Sequence, residues 1–267
     1  MFIVHILQCR HRFIIKVEGT MPLSSRDLFE LYSAAVVYVS VRLPNGDESI
    51  GSAFHVGEGV FLTAKHVVDG NEILEVANTN HQTIPDEQGK TTIHGKDGKF
   101  RSISPSKGNV VKGPFFHPDD SVDVAAIIVK GIDCPVIPLG GHLDDWINDD
   151  AFILREVIVL GYPPVPLSNK PVLVASRAEV NAVVDKYIGP HPHFIISSMA
   201  RGGFSGGPCL IEWNFTLGLV TESLGDSCAA ELGYMSVISV EPLYVCLSHH
   251  GILPKVQSDG WEGLWES

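Results

Sequence analysis

Short apolar and β-branched runs, repeatedly broken by glycine and proline, are the feature that most restricts what this chain can fold into. One series occupies residues 36–41, 60–63, 73–76 and 125–129. A second occupies 157–160, 172–175, 178–184, 194–198, 217–220 and 235–240. β-Branched side chains are stiff at χ1 and pack well on a pleated surface, so runs of this length read as strands. The 26 glycines and 17 prolines lie largely between the runs, as in Pro44-Asn45-Gly46, Gly57-Glu58-Gly59, Pro163-Pro164 and Gly202-Gly203, and mark frequent turns. Residues 131–150, with the acidic group Asp144, Asp145, Asp149 and Asp150, lack periodicity and read as a linker. The pattern predicts an all-β chain of two units, 21–140 and 141–250, of the sandwich or barrel type.

Only two segments have helical spacing. Ser24 or Ser25 can cap a helix with Asp27 and Glu30 near its positive end, and Leu28, Leu31 and Tyr32 share one face. Pro242, then Leu243, Cys246 and Leu247, then Gly251, marks a terminal helix. Residues 251–267 form an aperiodic tail. In residues 1–20, His5, Arg10, His11, Arg12 and Lys16 interrupt the apolar run a signal sequence requires. That stretch is read as a leader or extra segment, with an extra strand or a start at Met21 as the two alternatives.

Composition removes several function classes. A net charge of −12 and a pI near 5.4, without any basic run, disfavour binding to nucleic acid. No apolar stretch approaches the roughly 20 residues of a membrane-spanning helix. Cys9, Cys134, Cys209, Cys228 and Cys246 are an odd, sparse set without CxxC spacing, which suits a reducing compartment, so a cytoplasmic location is expected. The pairs His191/His193 and His249/His250 lack companions at ligand spacing, so neither a metal nor any other cofactor is expected.

Three segments carry chemistry: Leu62-Thr63-Ala64-Lys65-His66-Val67-Val68, Ser121-Val122-Asp123-Val124-Ala125 and Gly202-Gly203-Phe204-Ser205-Gly206-Gly207-Pro208. A serine hydroxyl needs a neighbouring imidazole to take its proton during attack. The imidazole needs an acid to fix its tautomer and stabilise its charged form. Glycines around the serine let a substrate approach and let backbone N–H groups converge on a developing oxyanion, with Gly203 and Ser205 the candidate donors.

In these residues the chain resembles the chymotrypsin-like (trypsin-like) serine proteases, and among them the disulfide-poor HtrA-type and stand-alone bacterial enzymes. Gly51-Ser52-Ala53-Phe54-His55-Val56 and Val159-Leu160-Gly161-Tyr162-Pro163 are similar to strands of that family. His, Asp and Ser also follow in the family order, 57 and 82 residues apart. The resemblance implies two antiparallel six-stranded β-barrels with short N- and C-terminal helices. It implies a serine endopeptidase acting on peptides or proteins through an acyl-enzyme: His66 the base, Asp123 its partner, Ser205 the nucleophile, and the amides of Gly203 and Ser205 the oxyanion hole. It places Met199 and Ala200 at the floor of the specificity pocket, favouring apolar or small side chains. Thr221, Glu222 and Ser223 fall on the edge strand that pairs with substrate.

The chain departs from the family in places. Phe204 stands where the digestive enzymes have an aspartate that receives a newly cut N-terminus, so activation by such a cut is not expected. Lys65 replaces a small residue and should point out of the barrel with little effect. Two other readings remain. One is a latent or non-catalytic peptide-binding protein on the same fold, which an activating partner would order. The other is an esterase, because Gly203 to Gly207 also fits G-x-S-x-G; only 62 residues follow Ser205, too few for the acid and histidine of that fold. His55, Asp119 and Asp120 are the rival base and acids, read as a strand residue and two loop residues.

Overall fold

The computed structural model describes residues 4–9, 12–17, 22–79, 106–144, 147, 149–166, 168, 170–185, 190–198, 201–221 and 233–258. Strands β1 (Val4–Cys9) and β2 (Arg12–Val17) pair as an antiparallel hairpin in a sheet of their own. Helix α1 (Ser25–Tyr32) begins at Ser24, which accepts from the Asp27 N–H while the Asp27 carboxylate accepts from the Ser24 N–H. Leu28 and Tyr32 are buried, whereas Leu31, expected on the same face, is 47% exposed. The helix is only eight residues long, so its covered stripe is one i, i+4 pair wide.

The first closed barrel contains β3 (Val36–Arg42), β4 (Glu48–Gly57), β5 (Val60–Thr63), β6 (Glu72–Asn78), β7 (Ser106–Phe116) and β8 (Ala125–Lys130). Its strand order is β3-β4-β5-β8-β7-β6, and a short helical turn, α2 (Lys65–Val68), follows β5 directly. After the turn α3 (Asp149–Phe152), the second barrel contains β9 (Glu156–Gly161), β10 (Val174–Asp185), β11 (Pro192–Ile196), β12 (Pro208–Ile211), β13 (Phe215–Val220) and β14 (Met235–Ile238). Its order is β10-β11-β14-β13-β12-β9. All pairings are antiparallel, giving the two six-stranded barrels of a chymotrypsin-like all-β fold.

The expected runs 172–175 and 178–184 merge into one strand, β10, which begins at Val174 and leaves Val172 and Leu173 ahead of it. Its first half pairs with β9 and its second with β11, across a register shift at Val180/Ala182. The polar Ser176 and Arg177 between the runs are strand residues that interrupt the apolar pattern without interrupting pairing. Strand β7 had no apolar signature because Ser106, Lys107, Asn109 and Lys112 dilute it, and two register shifts break its alternation.

The chain returns to the first barrel at its end. Helix α4 (Glu241–His249) buries Leu243, Tyr244, Cys246 and Leu247 in the first barrel's core cluster, with Pro242 in its first turn. The tail is not wholly irregular, since Lys255–Ser258 forms a further turn, α5. Its buried Gln257 donates to the carbonyls of Val56 and Ile137 and accepts from the Leu139 N–H, satisfying three backbone groups at once. Among the described residues no helix is long and apolar enough to cross a membrane. Cys134, Cys209 and Cys246 are free thiols.

Candidate active site

Two segments of the first barrel converge. α2 starts straight out of β5 with Ala64 at its cap and no side chain capping it, so its first-turn N–H groups need acceptors. Asp123, just ahead of β8, supplies one. Its Oδ1 accepts from the His66 N–H at 3.0 Å and its Oδ2 from the His66 Nδ1–H at 2.8 Å. One carboxylate thus fixes both the backbone and the ring of His66. With the proton held at Nδ1, Nε2 keeps its lone pair. The two side chains are 34% and 26% exposed, so the pair sits at the rim of the barrel rather than in its core.

The rival residues are engaged elsewhere. His55 lies in β4 with both ring nitrogens used: Nδ1–H donates to the Pro135 carbonyl at 2.8 Å, and Nε2 accepts from the Gly59 N–H at 3.2 Å. Burial lowers its pKa, which keeps it neutral. Asp119 folds back on the N–H and hydroxyl of Ser121, and Asp120 is fully exposed and paired with Lys65. Lys65 lies along the outside of the barrel over the Phe116 ring, its ammonium bonded to the Asp120 carboxylate and carbonyl.

The third segment comes from the second barrel. Gly203 has φ +92° and Gly206 φ +85°, conformations open to glycine and strained for other residues. Space is equally restrictive. A Cβ on Gly203 would collide with the Tyr162 carbonyl, and one on Gly206 with the Ser52 carbonyl. Phe204 is 3% exposed and packs in the second barrel's core, which turns the flanking Gly203 and Ser205 toward the cleft. The N–H groups of Gly203 and Ser205 bond to no described residue, whereas those of Gly206 and Gly207 are taken by Val220 O and Phe204 O.

Ser52, which sequence reasoning placed only as a strand residue, holds this loop from across the cleft. Its Oγ donates to the Gly203 carbonyl at 2.5 Å and accepts from the Tyr162 N–H at 2.9 Å. Its N–H donates to the Ser205 carbonyl at 2.8 Å, and its own carbonyl accepts from Thr63 Oγ1 at 2.7 Å. The signal was Gly51-Ser52 itself. A Cβ at Gly51 would meet the side chain of Val67 at 2.5 Å, so Gly51 lets α2 lie close beside the serine's strand.

His66, Gly203, Ser205 and Thr221 line one cleft of about 360 Å³ between the barrels, together with Ile50, Asn71, Arg201, Val220 and Met235. Thr221 extends β13, its N–H donating to the Ser236 carbonyl at 3.1 Å. Met199, Ala200, Glu222 and Ser223 lie outside the described residues.

Residues 51–218 match the model of the trypsin-like peptidase domain. A search of curated proteins found no match. Among solved structures, the chain is similar to the HtrA-type protease AlgW with a tripeptide, at 17% identity and TM-score 0.56, over 86% of this chain and 64% of that one. It is similar to the active form of the Rv3671c protease from M. tuberculosis at 20% identity and TM-score 0.55, over 91% and 93% of the two chains. A serine endoprotease from Yersinia pestis aligns at 18% identity and TM-score 0.54, over 87% and 68%. The chain thus spans about 64% of the length of the AlgW chains.

Proposed function

Because the chain belongs to the trypsin-like peptidase domain family, we propose that it is a serine endopeptidase in which Ser205 attacks the peptide carbonyl. The observation that carries this reading is the two-point grip of Asp123 on His66, in the same cleft as Ser205. His66 Nε2 takes the Ser205 proton as the acyl bond forms and returns it to the departing amine. It then takes a proton from water, which hydrolyses the acyl-enzyme. Asp123 stays ionised and stabilises the imidazolium. The Gly203 and Ser205 N–H groups receive the oxyanion, and their fixed orientation spares reorganisation at the moment of reaction.

Substrate binds as an extended strand along Thr221, and Val220 and Met235 favour an apolar or small side chain beside Ser205. The test is labelling by a fluorophosphonate probe under reducing conditions, with peptide mapping. Wild type should be labelled at Ser205 alone and Ser205→Ala not at all. A folded wild type that resists labelling would replace this reading with a latent, peptide-binding one, and labelling at another residue would move the nucleophile.

A further inference from the structure

Away from the cleft, where the two barrels and the terminal helix meet, Asp144, His191 and Glu241 bring one ligand atom each to within 4.8 Å of one another. The three come from separate parts of the chain: the inter-barrel segment, the turn before β11 and the first residue of α4. His191 Nδ1 lies 2.6 Å from Asp144 Oδ2, with the two side chains 12% and 14% exposed. Glu241 is 9% exposed, and its Oε2 accepts from the Asp144 N–H at 2.9 Å. Asp144 Oδ1 accepts from Ser239 Oγ at 2.5 Å.

Beside them is a second, independent feature. The His117 ring stands edge-on to the His191 ring, with centroids 5.8 Å apart. His117 is 6% exposed, and its Nε2 is buried without a partner among the described residues. Its Nδ1 is turned to its own loop, within reach of both the N–H and the carbonyl of Asp119, at 3.1 and 3.3 Å. Either tautomer is therefore satisfied on that side. If Nδ1 donates to the carbonyl, Nε2 presents a lone pair, the arrangement in which a backbone acceptor orients a metal-binding histidine.

We propose that Asp144, His191 and Glu241 form a binding site for one divalent first-row metal ion of the zinc type, with His117 Nε2 as the adjoining polar group. Two carboxylates and an imidazole that converge this far out of water form a donor set whose charge and geometry a divalent cation complements. One imidazole and two carboxylates suit zinc or its neighbours better than magnesium, which prefers all-oxygen shells and keeps its water. The ion ties the second barrel to α4 and lies against the 117–124 loop, which carries Asp123. Its role is to fasten the barrels together rather than to react with substrate. The histidine pairs visible in the sequence gave no hint of it, because the ligands are 47 and 50 positions apart.

The test uses the full chain, stripped with a chelator and titrated with Zn²⁺ by calorimetry, and with Co²⁺ by visible absorption. One Zn²⁺ should bind with a Kd below about 1 μM, raise Tm and give tetrahedral-type Co²⁺ bands. His191→Ala and Glu241→Gln should each weaken binding by about 100-fold or more, while His66→Ala keeps it. Glu241→Gln preserves the hydrogen bond to Asp144, so it stands as the test if His191→Ala does not fold. Absent uptake, or uptake lost in His66→Ala and untouched in the other two variants, would overturn the site. Metal uptake is read without turnover, so its failure is separate from any failure of the peptidase reading.

Discussion

The two halves of the cleft are built by different means. On the first-barrel side, His66 and Asp123 hold each other through side-chain hydrogen bonds made within that barrel. On the second-barrel side, the Ser205 loop has almost no side chains to hold it. It depends on glycine backbone at positive φ, on Phe204 sunk in the core below, and on Ser52 reaching over from the opposite barrel. Among the described residues the first half is joined by bonds made within its own barrel, whereas the second also draws on bonds from Ser52 of the opposite barrel. The loop that carries the proposed nucleophile and the proposed oxyanion donors is therefore the part of the site that inter-barrel packing touches most directly.

Substitutions can break this contrast in order of size. Asp123→Asn should lower kcat/KM by about 10⁴-fold, through the wrong imidazole tautomer, with no loss of fold. A near-normal rate would move the acid elsewhere. Gly203→Ala should cost about 10² to 10³-fold in kcat, because the added carbon forces the Tyr162 carbonyl away and turns the donor N–H. Full activity with unchanged labelling would show that the loop tolerates another conformation.

The contrast recurs in two buried histidines. His55 in the first barrel is satisfied at both nitrogens, whereas His142, packed on Phe152, Phe194 and Phe215 of the second, bonds the Leu217 carbonyl through Nε2 and has no partner for Nδ1 among the described residues. Burial lowers the His142 pKa from 6.5 to about 4. The unfolded chain binds the extra proton between those values, so stability is full above pH 6.5 and falls as pH drops toward 4, by about 3 kcal/mol. Denaturant melts of wild type and His142→Gln at pH 7, 6 and 5 should show a flatter slope for the variant. Parallel slopes would rule His142 out as the source.

Ser52→Ala probes the bridge itself. It should lower kcat about 10-fold while KM changes less than about 2-fold, because the hydroxyl positions the loop without touching substrate. An unaltered kcat would show that Phe204 and the glycines suffice. Smallest of all, Lys65→Ala should change activity by less than about 3-fold, since its partner Asp120 is fully exposed and water screens the pair.

The sequence exposed what is marked by local chemistry. His66 follows a buried strand, Asp123 precedes an apolar run, and Ser205 stands among glycines, so each could be read from its neighbours. The short buried strands were legible for the same reason. β7 was not, because its pairing survives bulges that erase its alternation. Ser52 was legible as a strand residue but not as a brace, since its partners at 162, 203 and 205 are set by how the barrels dock. Leu31 was misplaced because helical spacing names a face without saying how wide the neighbouring surface is.

The first and last described helices are crossed over the two barrels. α1, which leads into the first barrel, is fastened to the second: Ser25 bonds Glu156, Tyr32 bonds Asn214, and the Leu23 N–H reaches the Glu212 carbonyl. α4 and α5, which follow the second, are fastened to the first through His250 to Phe116 and Gln257 to Val56. The barrels are laced like a boot. A single cut in the segment between them would leave two fragments still clasped, each wearing the other's end.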